Sequence, residues 1–111
     1  MKRTFVETLI FTKRWKSLKL TDDDLCNLQN FLVKNPTAGD VIVGTGGLKK
    51  LRWMLPNTGK SGGIRVLHVD FVQKETVFLI NCYSKRQKDN LSANEKAIYK
   101  SLIDAIEEEL K

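Results

Sequence analysis

Ile64-Arg65-Val66-Leu67-His68-Val69-Asp70-Phe71-Val72, then Gln73-Lys74-Glu75, then Thr76-Val77-Phe78-Leu79-Ile80-Asn81-Cys82-Tyr83, is two β-prone runs split by three polar residues. The pattern predicts a β-hairpin. Both runs are apolar at odd and even positions alike, as strands covered on two faces are, so they belong at the centre of a sheet. Upstream, Leu48 to Leu55 alternates, with Lys50, Arg52 and Met54 on one parity and Leu51, Trp53 and Leu55 on the other. That is a third strand. Between it and the hairpin, Asn57 to Gly63 reads as a loop of Gly, Ser, Thr and Lys.

Outward from this sheet the period becomes helical. Thr4 to Glu7 is a short first strand. Phe11, Trp15 and Leu18 then recur at helical spacing, with Lys13, Arg14 and Lys16 on the other side. Thr21 caps a second helix whose first turn carries Asp22, Asp23 and Asp24, where acids complement the helix dipole. Leu25, Leu28, Phe31 and Leu32 form its apolar stripe, and Asn35-Pro36 ends it. Ser92-Ala93-Asn94-Glu95 is a capping box opening a last helix, with Ile98, Leu102, Ile106 and Leu110 as an apolar stripe at i, i+4 spacing. The expected order is β-α-α-β-β-β-α, an α+β fold with an antiparallel sheet, an N-terminal helix pair and one domain over residues 1–111. Helices gathered on one face would leave the other free for a site.

The 111 residues are 41% hydrophobic and 29% charged, the make-up of an ordinary globular domain. A formal net charge of +6 points to an anionic partner: nucleic acid, an acidic protein or a membrane surface. No window approaches the roughly 20 apolar residues of a membrane span. The N-terminus lacks the apolar core of a secretory signal, so a cytoplasmic protein with no membrane partner is expected. Two distant cysteines, Cys26 and Cys82, sit among apolar neighbours and read as buried reduced thiols. One histidine and no Cys/His cluster argue against zinc, and nothing in the chain asks for a metal or a cofactor.

The positive charge is concentrated. From Val41 to Val69 there is no acidic residue, but Lys49, Lys50, Arg52, Lys60 and Arg65 are present. Alternation puts Lys50 and Arg52 on one face, and Tyr83 and Lys85 share a parity on the last strand. With Arg65 facing the same way, five side chains converge over three strands. Such a set suits RNA cleavage by attack of the 2′-hydroxyl on its own phosphate. Arginine grips phosphate oxygens with forked donors. Lysine supplies a point charge and, when its pKa is depressed, a proton carrier. Tyrosine stacks on a base or exchanges a proton, although an ordinary pKa of about 10 makes it a poor base. No Asp or Glu presents itself as the base, so the activity should depend on an external scaffold that aligns the RNA.

His68 titrates nearer neutrality, but its parity is opposite to that of Arg65. Only a bulge would bring both to one face, and a satisfied histidine beneath the sheet is the favoured reading. Gly59-Lys60-Ser61 evokes a phosphate-binding loop, yet Met54 stands where that motif needs its first glycine.

Gly39-Asp40-Val41-Ile42, Gly44-Thr45-Gly46-Gly47-Leu48-Lys49-Lys50-Leu51-Arg52, Gly62-Gly63-Ile64-Arg65-Val66, Tyr83-Ser84-Lys85 and Asp89-Asn90-Leu91-Ser92 together resemble RelE/HigB-type toxins of bacterial type II toxin–antitoxin systems, the HigB-like branch in particular. The resemblance runs over nearly the whole chain. It implies a small RelE-like fold and a metal-independent endoribonuclease that cuts translated mRNA in the ribosomal A site. The ribosome, mRNA and a cognate antitoxin, in this branch commonly a helix-turn-helix protein, are the implied partners. By position it implies catalytic roles for Arg65, Tyr83 and Lys85. Lys49, Lys50, Arg52, Lys60, Arg86 and Lys88 fall to RNA binding, and His68 stands where relatives often carry tyrosine. Two alternatives share these features: a ParE-like inhibitor of DNA gyrase, and a nucleic-acid-binding module without catalysis.

Overall fold

The computed structural model describes residues 2–54, 63–85 and 90–111. In chain order the elements are β1 (Thr4–Glu7), α1 (Leu9–Ser17), α2 (Asp22–Lys34), β2 (Asp40–Val41), β3 (Lys49–Trp53), β4 (Ile64–Phe71), β5 (Thr76–Ser84) and α3 (Ala93–Glu109). The strands form one sheet in the order β1-β5-β4-β3-β2. The expected central hairpin is therefore central, turning through a single 3-10 turn at Val72–Lys74 with Glu75 in the left-handed region at φ 49°.

Two features depart from the expectation. The sheet is mixed, because β1 runs parallel to β5 at the edge. The two helices separate β1 from the rest of the sheet in sequence, and its pairing with the last strand is a contact no local pattern encodes. In addition a two-residue strand, β2, pairs antiparallel with β3, so that Asp40 faces Lys50. Gly39, just before it, has φ +102°, and a Cβ there would lie 2.7 Å from the Lys50 carbonyl oxygen. Only glycine fits so close a backbone approach at that φ.

The Gly-rich phrase is the turn of this β2–β3 hairpin. Thr45, fully buried, pins it: its hydroxyl donates to the Ile42 carbonyl at 2.6 Å and accepts from the Leu48 N–H at 3.1 Å. Gly44, Gly46 and Gly47 all take positive φ, which side chains resist and which lets the turn close.

Two cores sandwich the sheet. On one face Leu51, Ile64, Val66, Val77, Leu79 and Cys82 pack against Phe11 and Trp15 of α1 and Leu28 and Leu32 of α2. Phe11 and Trp15 stack with ring centroids 5.4 Å apart. The caps read from the sequence are in place, with capping boxes at Thr21 and at Ser92. On the other face Leu48, Leu67, Val69, Ile80 and Tyr83 pack under Ile103 of α3. The expectation of an open second face is thus corrected: α3 covers part of it. Its anticipated stripe is corrected as well, since Ile98 is 66% exposed and Leu102 36%, whereas Ile103 is buried. The helix is rotated so that Tyr99, Ile103 and Ile106 meet the sheet. Nor are the thiols alike: Cys26 is exposed and Cys82 buried, where burial pushes the thiol up to about 12.

Arg3 grips Asp70 through two bonds, Nε to Oδ1 at 2.9 Å and Nη2 to Oδ2 at 3.1 Å, which ties the segment before β1 to β4. Among the described residues no helix is long and apolar enough to cross a membrane.

Candidate functional site

Cross-strand register decides which side chains meet. Arg52 on β3 pairs with Arg65 on β4, and Arg65 pairs with Tyr83 on β5. Residues directly opposite one another point to the same face. Arg52, Arg65 and Tyr83 therefore form one row across three strands, on the face that α3 partly covers. Lys50 lies two residues from Arg52 on the same face, opposite Leu67. Lys85 lies one residue beyond the end of β5 and shares the parity of Tyr83.

The row is graded in exposure. Arg65 is 4% exposed and Tyr83 3%, while Arg52 and Lys85 are open to solvent and Lys50 is half-buried. Gly63 lies beside Arg65: a Cβ there would make an ordinary contact with Arg65 Nη1 at 3.9 Å and press on the movable Met54 Sδ at 2.8 Å.

A β-bulge lies between the row and the hairpin turn. Leu67 pairs with Asn81 but His68 pairs with Leu79, which leaves Ile80 as an extra residue on β5. Ile80 and Asn81 consequently both turn toward α3. Ile80 enters the apolar cluster around Ile103. Asn81 Nδ2 donates to the Tyr99 hydroxyl at 2.9 Å, and its Oδ1 accepts from the Cys82 N–H at 2.8 Å. One amide thus satisfies backbone disturbed by the bulge and fastens the sheet to α3. Beyond it, Cys82 falls to the α1/α2 face and Tyr83 to the face of Arg65.

His68 does not join the row. The bulge adds its residue to β5, so β4 keeps its alternation and His68 stays on the α1/α2 side. There it is fully buried, and Nε2 donates to the Ala38 carbonyl at 2.8 Å. A carbonyl only accepts, so the proton sits on Nε2. Nδ1 is buried without a hydrogen-bond partner among the described residues. Burial lowers the pKa below its ordinary value, the Ala38 bond opposes this, and Lys49 adds to the lowering. Lys49 pairs with His68 and shares its parity with Leu51 and Trp53. The structure therefore separates it from Lys50 and Arg52. Lys60, Arg86 and Lys88 lie outside the described residues.

Among the grooves lined by described residues, two of about 350 Å³ each lie beside α3. One, lined in part by Phe71, Val72 and Leu110, is six residues along β4 from Arg65, about 20 Å away. The other contains Lys50 itself and so adjoins the row.

The family model for the RelE toxin of the RelE / RelB toxin–antitoxin system matches residues 2–110. The chain belongs to the RelE toxin family. That makes it the toxin of a toxin–antitoxin pair, and membership implies an antitoxin as partner. The acid-free segment supplies β3 and most of β4, the two strands that carry Lys50, Arg52 and Arg65.

Proposed function

We propose that this RelE-family toxin is an endoribonuclease that cuts messenger RNA during translation, with the Arg52–Arg65–Tyr83 row and Lys85 as its working surface. The observation that carries the reading is the register. Two guanidiniums and a phenol from three strands stand side by side, and the segment supplying both arginines contains no carboxylate. Arg65, at the centre, holds the scissile phosphate. A guanidinium with little water around it attracts an anion more strongly than one in solvent, because the effective dielectric is lower. The fork of donors matches the phosphorane that forms as the 2′-hydroxyl attacks and the 5′-oxygen leaves.

Tyr83 and Lys85 flank that position and exchange the two protons, one leaving the 2′-hydroxyl and one reaching the 5′-oxygen. Arg52 and Lys50 hold the phosphates that follow. Among the described residues the Arg52–Arg65–Tyr83 row contains no carboxylate, and a set of cations so built depends on substrate alignment for most of its rate, which is why the ribosome is the proposed scaffold and free RNA a poor substrate. The antitoxin silences the protein until it is released.

Pulse labelling after brief induction tests the class of activity. Incorporation of methionine should fall within minutes while thymidine incorporation continues. An early loss of thymidine incorporation would instead indicate gyrase inhibition, and no effect on either would leave only a binding module.

A further inference from the structure

The groove beside the row has a composition of its own. It is formed by the β2–β3 hairpin and the segment entering α3, and Asp40, Ile42, Val43, Lys50, Leu91 and Lys96 line it. Its volume of about 350 Å³ is within the range of small-molecule sites and near its lower end, suited to one flat heterocycle. Val41, Ile42, Val43 and Leu91 supply its aliphatic part, with Val43 82% exposed at the rim, and Asn90 adds an amide. Lys50 and Lys96 bring positive charge to the edges. Asp40 stands directly across the β2–β3 pair from Lys50, which puts one carboxylate on the same face as the cations.

We infer that this groove receives the base of a nucleotide adjoining the scissile phosphate and selects bases that carry an exocyclic amino group over uracil. The inference rests on the proposed nuclease function. Continuity supports the occupant: Lys50 and Arg52 lie on one face of β3, about 7 Å apart, so a strand whose phosphate is held in the row reaches the groove with its next residue. Charge supports it too, since Lys50 and Lys96 suit a sugar-phosphate backbone and would repel a basic peptide. Single-stranded RNA is commonly read by splaying a base into a pocket and bonding its edge. A carboxylate only accepts, so it pairs with the exocyclic amino groups of cytosine, adenine or guanine, whereas uracil presents the acceptor O4 where cytosine has its amino group and offers only N3–H as a donor. Asp40 is thus a specificity residue set apart from the chemistry.

The test compares cut sites in cellular messages after brief induction of the wild-type chain, Asp40→Asn and Lys96→Ala. In the wild type one position flanking the cut should be depleted of uracil by about fivefold or more, the factor a misplaced bond of this kind carries. Asparagine both donates and accepts, so Asp40→Asn should restore uracil at that position while cuts continue. Lys96→Ala, on the helix, should lower total cutting several-fold and leave the base profile unchanged. A wild type that cuts with no depletion at either flank, or an Asp40→Asn profile equal to wild type, would overturn the base-reading role alone. Unaltered cutting by Lys96→Ala would remove the cationic edge from the site. No cuts from the wild type would overturn the nuclease reading as well.

Discussion

Arg65 and His68 lie three residues apart on β4, and pleating alone sends them to opposite cores. His68 ends fully buried with the Ala38 carbonyl as its hydrogen-bond partner among the described residues, and its pKa is lowered below the ordinary value of 6.5 by burial, opposed by the Ala38 bond and aided by Lys49. The unfolded chain therefore takes up this proton at a higher pH than the native protein does. Where the unfolded state binds more protons, stability rises with pH. The protein should be at its full stability above about 6.5 and lose part of it as the pH falls from there toward the depressed native value. Melting temperatures measured across that range should show the decline, and His68→Gln, which keeps a donor for Ala38 and cannot ionise, should flatten it. An unchanged slope in that variant would assign the pH response to other groups.

Among the elements, β5 does more than one strand's share. The bulge at Ile80 turns two consecutive side chains toward α3, and Asn81 spends both ends of its amide there. Asn81→Ala removes two hydrogen bonds from a buried position, about 1–3 kcal/mol by the usual range. It should lower the melting temperature and, by loosening the strand just before Tyr83, reduce RNA cutting beyond what the lost stability explains. A variant that melts early yet cuts normally at low temperature would confine Asn81 to a structural role.

The elements also show how far the chain could be read in advance. Caps, periodicity and β-prone composition are local, so Thr21 and Ser92 marked α2 and α3, the alternating run marked β3, and the two apolar runs marked β4 and β5 closely. The pairing of β1 with β5 and the extra residue at Ile80 depend on strands distant in sequence. The rotation of α3 was hidden because Ile98, Leu102, Ile103 and Ile106 offer two overlapping apolar stripes, and only the sheet beneath selects Ile103. Of the site, parity alone grouped Lys50 with Arg52 and Tyr83 with Lys85. That Arg65 stands between Arg52 and Tyr83 required the register.

At the scale of the whole molecule, α1 and α2 close one face of the sheet, while α3 closes part of the other. The Arg52–Arg65–Tyr83 row lies on that second face, at the end of β4 away from the hairpin turn. The proposed activity depends on that row acting on a phosphate of translated RNA. The most direct measurement is the cleavage rate of a defined message on programmed translating ribosomes, using purified wild-type protein and Arg65→Lys, with a melting curve confirming that the variant is folded. Lysine keeps the charge and loses the fork. The expected result is cutting of the ribosome-bound message by the wild type and a rate lower by about 100-fold or more in Arg65→Lys. Equal rates in the two proteins, or an intact message with the wild type, would contradict the account.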